Sequence, residues 1–143
     1  MSPIEEAIIR RKLSIIVENL KALEPIGKMT LKEYIHELYK RKATERLLQE
    51  LIEAAVDINT YIIVQTGNKV PDDYYESFIK LGELHIISSD LAEKLAPSAG
   101  LRNRLVHEYD TIEHSMVLES VKRAQELYPE YIKHIEDFIS GSR

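Results

Sequence analysis

The residues with chemical capability crowd into one short stretch, Leu101-Arg102-Asn103-Arg104-Leu105-Val106-His107-Glu108-Tyr109-Asp110. A histidine titrates near neutrality, so its imidazole can take a proton from a ribose 2′-hydroxyl or give one to a departing 5′-oxygen. An arginine guanidinium can hold two phosphate oxygens and stabilise charge that builds up at phosphorus. Arg102 and His107 are therefore candidates for RNA cleavage without a metal ion. Asn103 could orient the imidazole or bond the phosphate, and Arg104 adds a supporting charge. The same residues have a plainer use, because arginine and histidine near a helix C-terminus also serve capping and the helix dipole. Residue chemistry alone leaves both readings open.

Helical geometry sharpens the first reading. With Leu101 at zero on a helical wheel, Leu105 falls at about 40°, Asn103 at about 200° and His107 at about 240°. The two leucines would anchor the helix while the polar groups project away from the core. Arg102 lies about 140° from His107, so the pair diverges on one helix. A complete site then calls for two copies of the helix across a twofold axis, and a homodimer is expected.

The elements that must carry this stretch read as helices almost throughout. An N-cap oxygen followed three residues later by Glu marks a helix start. Ser2/Glu5 (with Pro3 between them), Thr30/Glu33, Asp73/Glu76, Asp90/Glu93 and Asp110/Glu113 fit. Stops are expected at Pro25-Ile26-Gly27, Gly67-Asn68 and Gly141. Apolar residues step by three and four along Ile9, Leu13, Ile16, Leu20 and Leu23, and again from Val117 through Val121, Ala124, Tyr128, Tyr131 and Ile135 to Phe138. A third stripe joins Leu31, Ile35 and Leu38 to Leu48, Leu51, Ala55, Ile58 and Ile62. Thr60-Tyr61-Ile62-Ile63-Val64 is β-branched, yet no second strand exists to pair with it, so it reads as the end of a buried helix. Pro129 is expected to kink or divide the last helix. Pro97-Ser98-Ala99-Gly100 should separate a short Asp90–Ala96 helix from one opening near Leu101. The pattern describes an all-α, antiparallel bundle of four to five main helices, one domain over residues 1–143.

Composition narrows the function. The 143 residues carry 19 Lys and Arg against 24 Asp and Glu, a net charge of −5, which argues against a non-specific nucleic-acid coat. Local basic runs remain: Arg10-Arg11-Lys12, and Lys40-Arg41-Lys42 with Arg46. Solvated helix faces with Glu partners are the simpler account of both. Without cysteine there is no disulfide scaffold and no thiolate metal site or nucleophile. No apolar run is long enough to span a bilayer and no signal-peptide core is seen at the start, so a cytoplasmic protein without membrane partners is expected. A di-metal carboxylate bundle needs two Glu-x-x-His pairs and only Glu33/His36 has that spacing, so neither metal nor cofactor is expected. His85, His114 and His134 have no ligand-spaced partner, and the Tyr128/Tyr131 pair reads as core or interface. Phosphate-binding Gly loops and Gly-x-Ser-x-Gly elbows are missing.

The segment from Arg102 to Tyr109 matches the Arg-x4-His-x-Tyr motif of the HepT-like proteins, toxins of the HEPN superfamily. Asn68-Lys69-Val70-Pro71-Asp72-Asp73-Tyr74 followed by Phe78 resembles the family's Pro-Asp/Tyr/Phe segment. The likeness covers nearly the whole chain, most specifically from Tyr61 to Val117. It implies a homodimeric, metal-independent endoribonuclease toxin with Arg102 and His107 as the catalytic pair and Asn103 as their polar neighbour. It also implies that a cognate minimal nucleotidyltransferase antitoxin attaches AMP to Tyr109. Such a group would bring phosphate charge and bulk two residues from His107, where an RNA phosphate must dock. The competing expectation is a catalytically idle helical module that binds a nucleotidyltransferase, presenting Tyr109 or a nucleotide pocket.

Overall fold

The computed structural model describes residues 4–141. Its elements are α1 (Glu6–Gly27), α2 (Leu31–Ile35), α3 (Leu38–Gln65), α4 (Tyr74–Glu83), α5 (Ser89–Leu95), α6 (Ser98–His107) and α7 (His114–Ser140). Among the described residues there is no strand, and no helix is long and apolar enough to cross a membrane. The long helices α1, α3 and α7 form the body. The expected stripes supply its core: Ile9, Leu13, Ile16 and Leu23 of α1, and Val117, Val121, Ala124, Tyr128, Tyr131, Ile135 and Phe138 of α7, are buried, with Leu20 only half-buried. Thr60–Val64 is helical, as expected of a segment with no strand to join.

Local chemistry sets several of the boundaries. Thr30 and Glu33 form a reciprocal capping box at α2, and Asp73 accepts the Glu76 N–H at α4. The stop after α3 is a Schellman turn: Gly67 takes φ +87°, its N–H reaches the Val64 carbonyl at 3.0 Å, and the Asn68 N–H reaches Ile63 at 3.1 Å. Gly82 serves differently. A Cβ there would sit 2.7 Å from the Ala92 methyl, so its bare backbone lets α4 and α5 come together.

Other expectations are corrected. Of the start pair Ser2/Glu5, Ser2 (with Pro3) lies outside the described residues, and α1 opens at Glu6 with extended Glu5 as its cap. At α5 the capping oxygen is Ser88, which accepts from Leu91 N, so Asp90 stands in the first turn instead of before it. Asp110 falls in the connecting turn, and α7 begins at His114 after Glu113, without a side-chain cap. The new helix after Pro97 opens at Ser98, not near Leu101, because Pro97 itself occupies the cap and Gly100 is accommodated inside the helix. Pro129 does not divide α7, which runs unbroken from His114 to Ser140 with the proline on its exposed side.

The stripe through Leu31, Ile35 and Leu38 does not turn inward. The chain breaks at His36 and Glu37, which resets the helical phase, and all three residues are exposed while Tyr34 takes the buried position. Arg41 fixes this corner by donating from its guanidinium to the Ile35 carbonyl. Tyr34 then packs edge-on against His114, the first residue of α7, with ring centres 6.2 Å apart.

Candidate active site

Helix α6 is held by Ala99 and Leu105, both buried, and by half-buried Leu101. Its neighbours α3 and α4 supply the surroundings of Arg102. The Arg102 Nε donates to Glu53 Oε2 at 2.9 Å, and the guanidinium carbon stands 4.9 Å from the centre of the Tyr74 ring. Both partners of the ion pair are largely shielded from solvent, with side-chain exposures of 21% and 29%. The pair is thus screened less than a surface bridge, and the ring face adds a cation–π attraction. One terminal nitrogen lies 3.4 Å from Asn103 Oδ1. With the Nε edge on Glu53, one terminal N–H on Asn103 and one face on Tyr74, the other terminal N–H groups remain for an anion.

Those groups border a groove between the N-terminal end of α4 and the first turns of α6, lined by Asp73, Tyr74, Tyr75, Ala99, Gly100, Arg102 and Asn103. Arg104 stands elsewhere, lining a separate hollow with Glu108, Thr111, Ile112, Glu113 and Met116. His107 is the last residue of α6, is exposed, and lines neither depression. Within one chain Arg102 and Asn103 thus share a groove that His107 and Arg104 do not line. A separation of about 140° around the helix turns Arg102 away from His107, whereas Asn103 and His107, four residues apart, share a side. Tyr109 lies beyond α6 in the turn leading to α7, 61% exposed, so its hydroxyl is open to a modifying enzyme.

Glu53 escaped the sequence reading. It is 49 residues from Arg102, a distance over which no helical spacing speaks. It is one of three carboxylates between Leu48 and Ile63, with Glu50 and Asp57, and the sequence does not single it out. The basic runs, by contrast, have the acidic neighbours expected of solvated faces. Arg10 pairs with Glu6 and Glu136, Lys12 with Asp57, Lys40 with Glu37 and Arg46 with Glu50. Glu33, half of the Glu-x-x-His pair, accepts the Thr30 N–H at 2.8 Å. Tyr128 and Tyr131 are core residues, bonded to Ser98 Oγ and to Ala55 O and Asn59 Oδ1.

Comparison with known families shows which proteins this chain resembles. The ribonuclease HepT-like family matches residues 16–135, which takes in α6 and all of the Arg102 surroundings. The chain belongs to the HepT-like ribonuclease family. Among its HepT-like relatives is the tRNA nuclease HepT of Aphanizomenon flos-aquae, 37% identical over 97% of this chain and 95% of that protein. The mRNA nuclease HepT of Shewanella oneidensis is 30% identical over 62% of this chain and 67% of that protein. The HepT-like fold is also that of the tri-AMPylated Shewanella oneidensis HEPN toxin in its complex with MNT antitoxin. That chain superposes with a TM-score of 0.81 at 25% identity, covering 90% of this chain and 96% of that one.

Proposed function

We propose that this protein is the toxin of a toxin–antitoxin pair, a cytoplasmic endoribonuclease that cuts RNA without a metal ion through Arg102 and His107 in a homodimer. The observation that carries this reading is the Arg102 guanidinium, held by Glu53 and Tyr74 at the edge of an open groove with its remaining terminal N–H groups left for a phosphate. Family membership supports the ribonuclease activity.

In the proposed reaction the His107 imidazole takes the proton of a ribose 2′-hydroxyl. The 2′-oxygen attacks the adjacent phosphorus, whose non-bridging oxygens rest on Arg102, with Asn103 beside them. The bond from phosphorus to the 5′-oxygen breaks, and that oxygen takes a proton from solvent, to which the His107 imidazolium then returns its own. The products are a 2′,3′-cyclic phosphate and a 5′-hydroxyl. Expressing the chain alone and with His107→Ala tests this. Growth arrest and RNA ends bearing cyclic phosphate, both lost in the variant, are expected; wild-type chain that leaves RNA intact would leave only a binding module.

Silencing would fall to Tyr109. Its phenol oxygen displaces pyrophosphate from the α-phosphorus of ATP on a partner minimal nucleotidyltransferase and loses its proton to solvent, leaving AMP two residues from His107. The HEPN toxin whose fold this chain shares is itself tri-AMPylated in complex with its MNT antitoxin. Mass spectrometry after co-expression with a cognate nucleotidyltransferase should place the added AMP on the peptide containing Tyr109, and Tyr109→Phe should abolish it.

A further inference from the structure

The groove beside Arg102 is larger than a phosphate requires. It encloses about 530 Å³, within the range of roughly 300–1,000 Å³ typical of small-molecule sites. Its walls differ in chemistry. Arg102 supplies positive charge at one side. The Tyr74 ring is covered by that guanidinium, whereas Tyr75 is 50% exposed and lines the same groove. Gly100 also lines it, and a Cβ built there meets no heavy atom within 4 Å, so the space before it is open.

Two polar side chains complete the lining. Asp73 uses Oδ1 to accept the Glu76 N–H at 2.8 Å, which leaves its second oxygen as an acceptor. Asn103 takes the Arg102 terminal N–H on Oδ1, which leaves its NH2 as a donor. A carboxylate repels a phosphate but accepts well from an exocyclic amine. The groove is thus divided into an anion side at Arg102 and a base side at Tyr75 and Asp73.

We propose that this groove seats one unpaired RNA base next to the phosphate held by Arg102, with Tyr75 as its stacking platform and Asp73 selecting a base that carries an exocyclic amine. The proposal rests on the reading of Arg102 as the phosphate-binding group. Stacking on an aromatic ring is how single-stranded nucleic acid is commonly held, and hydrogen bonds to the base edge then add selectivity. Adenine, cytosine and guanine fit the acceptor at Asp73. Uracil, which has a carbonyl oxygen where cytosine carries its amine, offers only its ring N–H and fits less well.

Two measurements on the full-length protein test this. In the first, single-stranded RNA decamers are cleaved by the wild type and by Tyr75→Ala and Tyr75→Phe. KM should rise about tenfold in Tyr75→Ala with kcat nearly unchanged, and Tyr75→Phe should restore it. Asp73→Asn retains a capping side chain for α4 and should erase discrimination against uracil next to the cut. In the second, a decamer containing 2-aminopurine is bound to the His107→Ala variant, and its fluorescence should be quenched with Tyr75 present and not with Tyr75→Ala added. Unchanged KM together with unchanged quenching would overturn the subsite while leaving the nuclease standing. A shift of Tyr75→Ala from dimer to monomer would also overturn it, by making Tyr75 a contact between copies. If the wild type cuts no RNA the nuclease reading fails, and the quenching experiment still decides whether a base sits on Tyr75.

Discussion

Arg102 illustrates how much a functional side chain depends on residues that do no chemistry themselves. A free arginine samples many rotamers, and ordering it costs roughly 2 kcal/mol of side-chain entropy. Glu53 and Tyr74 meet that cost before any substrate arrives, by holding the Nε edge and one face. Glu53→Gln keeps an acceptor of the same shape but removes the charge, so the guanidinium should become looser. We expect kcat/KM to fall about 10- to 100-fold while the melting temperature moves little, checked by initial rates and thermal unfolding. Wild-type rates would show that Glu53 does not position Arg102. The motif residues were legible in the sequence because they share one helix at fixed spacing. Glu53 was not, since only the pairing of α3 with α6 brings it to Arg102. Tyr75 was equally invisible as a groove residue, because an aromatic next to a helix cap looks the same whether it is solvated or used.

At the scale of elements, side-chain caps mark the starts of α2, α4 and α5, and the four-residue capping pattern was a good guide only where the first residue stood in an extended backbone. Thr30 and Asp73 do so. Asp90 matched the pattern equally well but lies inside α5, because Ser88, two residues earlier, satisfies the Leu91 N–H at 3.1 Å. Ser88→Ala should therefore destabilise the protein by about 1 kcal/mol in urea unfolding, and Asp90→Ala by clearly less, since Asp90 offers only its exposed bridge to Lys94. The reverse order would restore Asp90 as the cap. The long apolar stripes of α1 and α7 were readable because nothing interrupts their phase. The break at His36 and Glu37 was not, for its cause is tertiary: Arg41 holds the Ile35 carbonyl, and Tyr34 is drawn against His114.

Across the whole molecule, the core contains tyrosines whose ionisation folding resists. Burial, with Glu45 nearby, pushes Tyr34 up to about 12, and burial raises Tyr128 and Tyr131 well above the ordinary tyrosine value. A raised pKa means that the folded state holds its proton more tightly. Stability is complete below pH 10, the ordinary tyrosine value, and is lost as pH rises toward and past the raised values. The unfolding free energy from urea titration should hold up to about pH 10 and then fall, by at most about 1.4 kcal/mol per pH unit for each tyrosine, and Tyr128→Phe should flatten the fall. An all-helical bundle was legible from periodicity alone, but no sequence pattern records which faces a second copy covers. That question bears on the central claim, because Arg102 and His107 face different ways within one chain. The most direct test mixes two inactive proteins, Arg102→Ala and His107→Ala, allows subunits to exchange in the presence of a chelator, and measures RNA cleavage. If an arginine from one copy works with a histidine from the other, cleavage should return to a substantial fraction of the wild-type rate, with cyclic phosphate ends. A mixture that exchanges subunits yet stays as inactive as either variant, while the wild type cuts, would contradict the shared site.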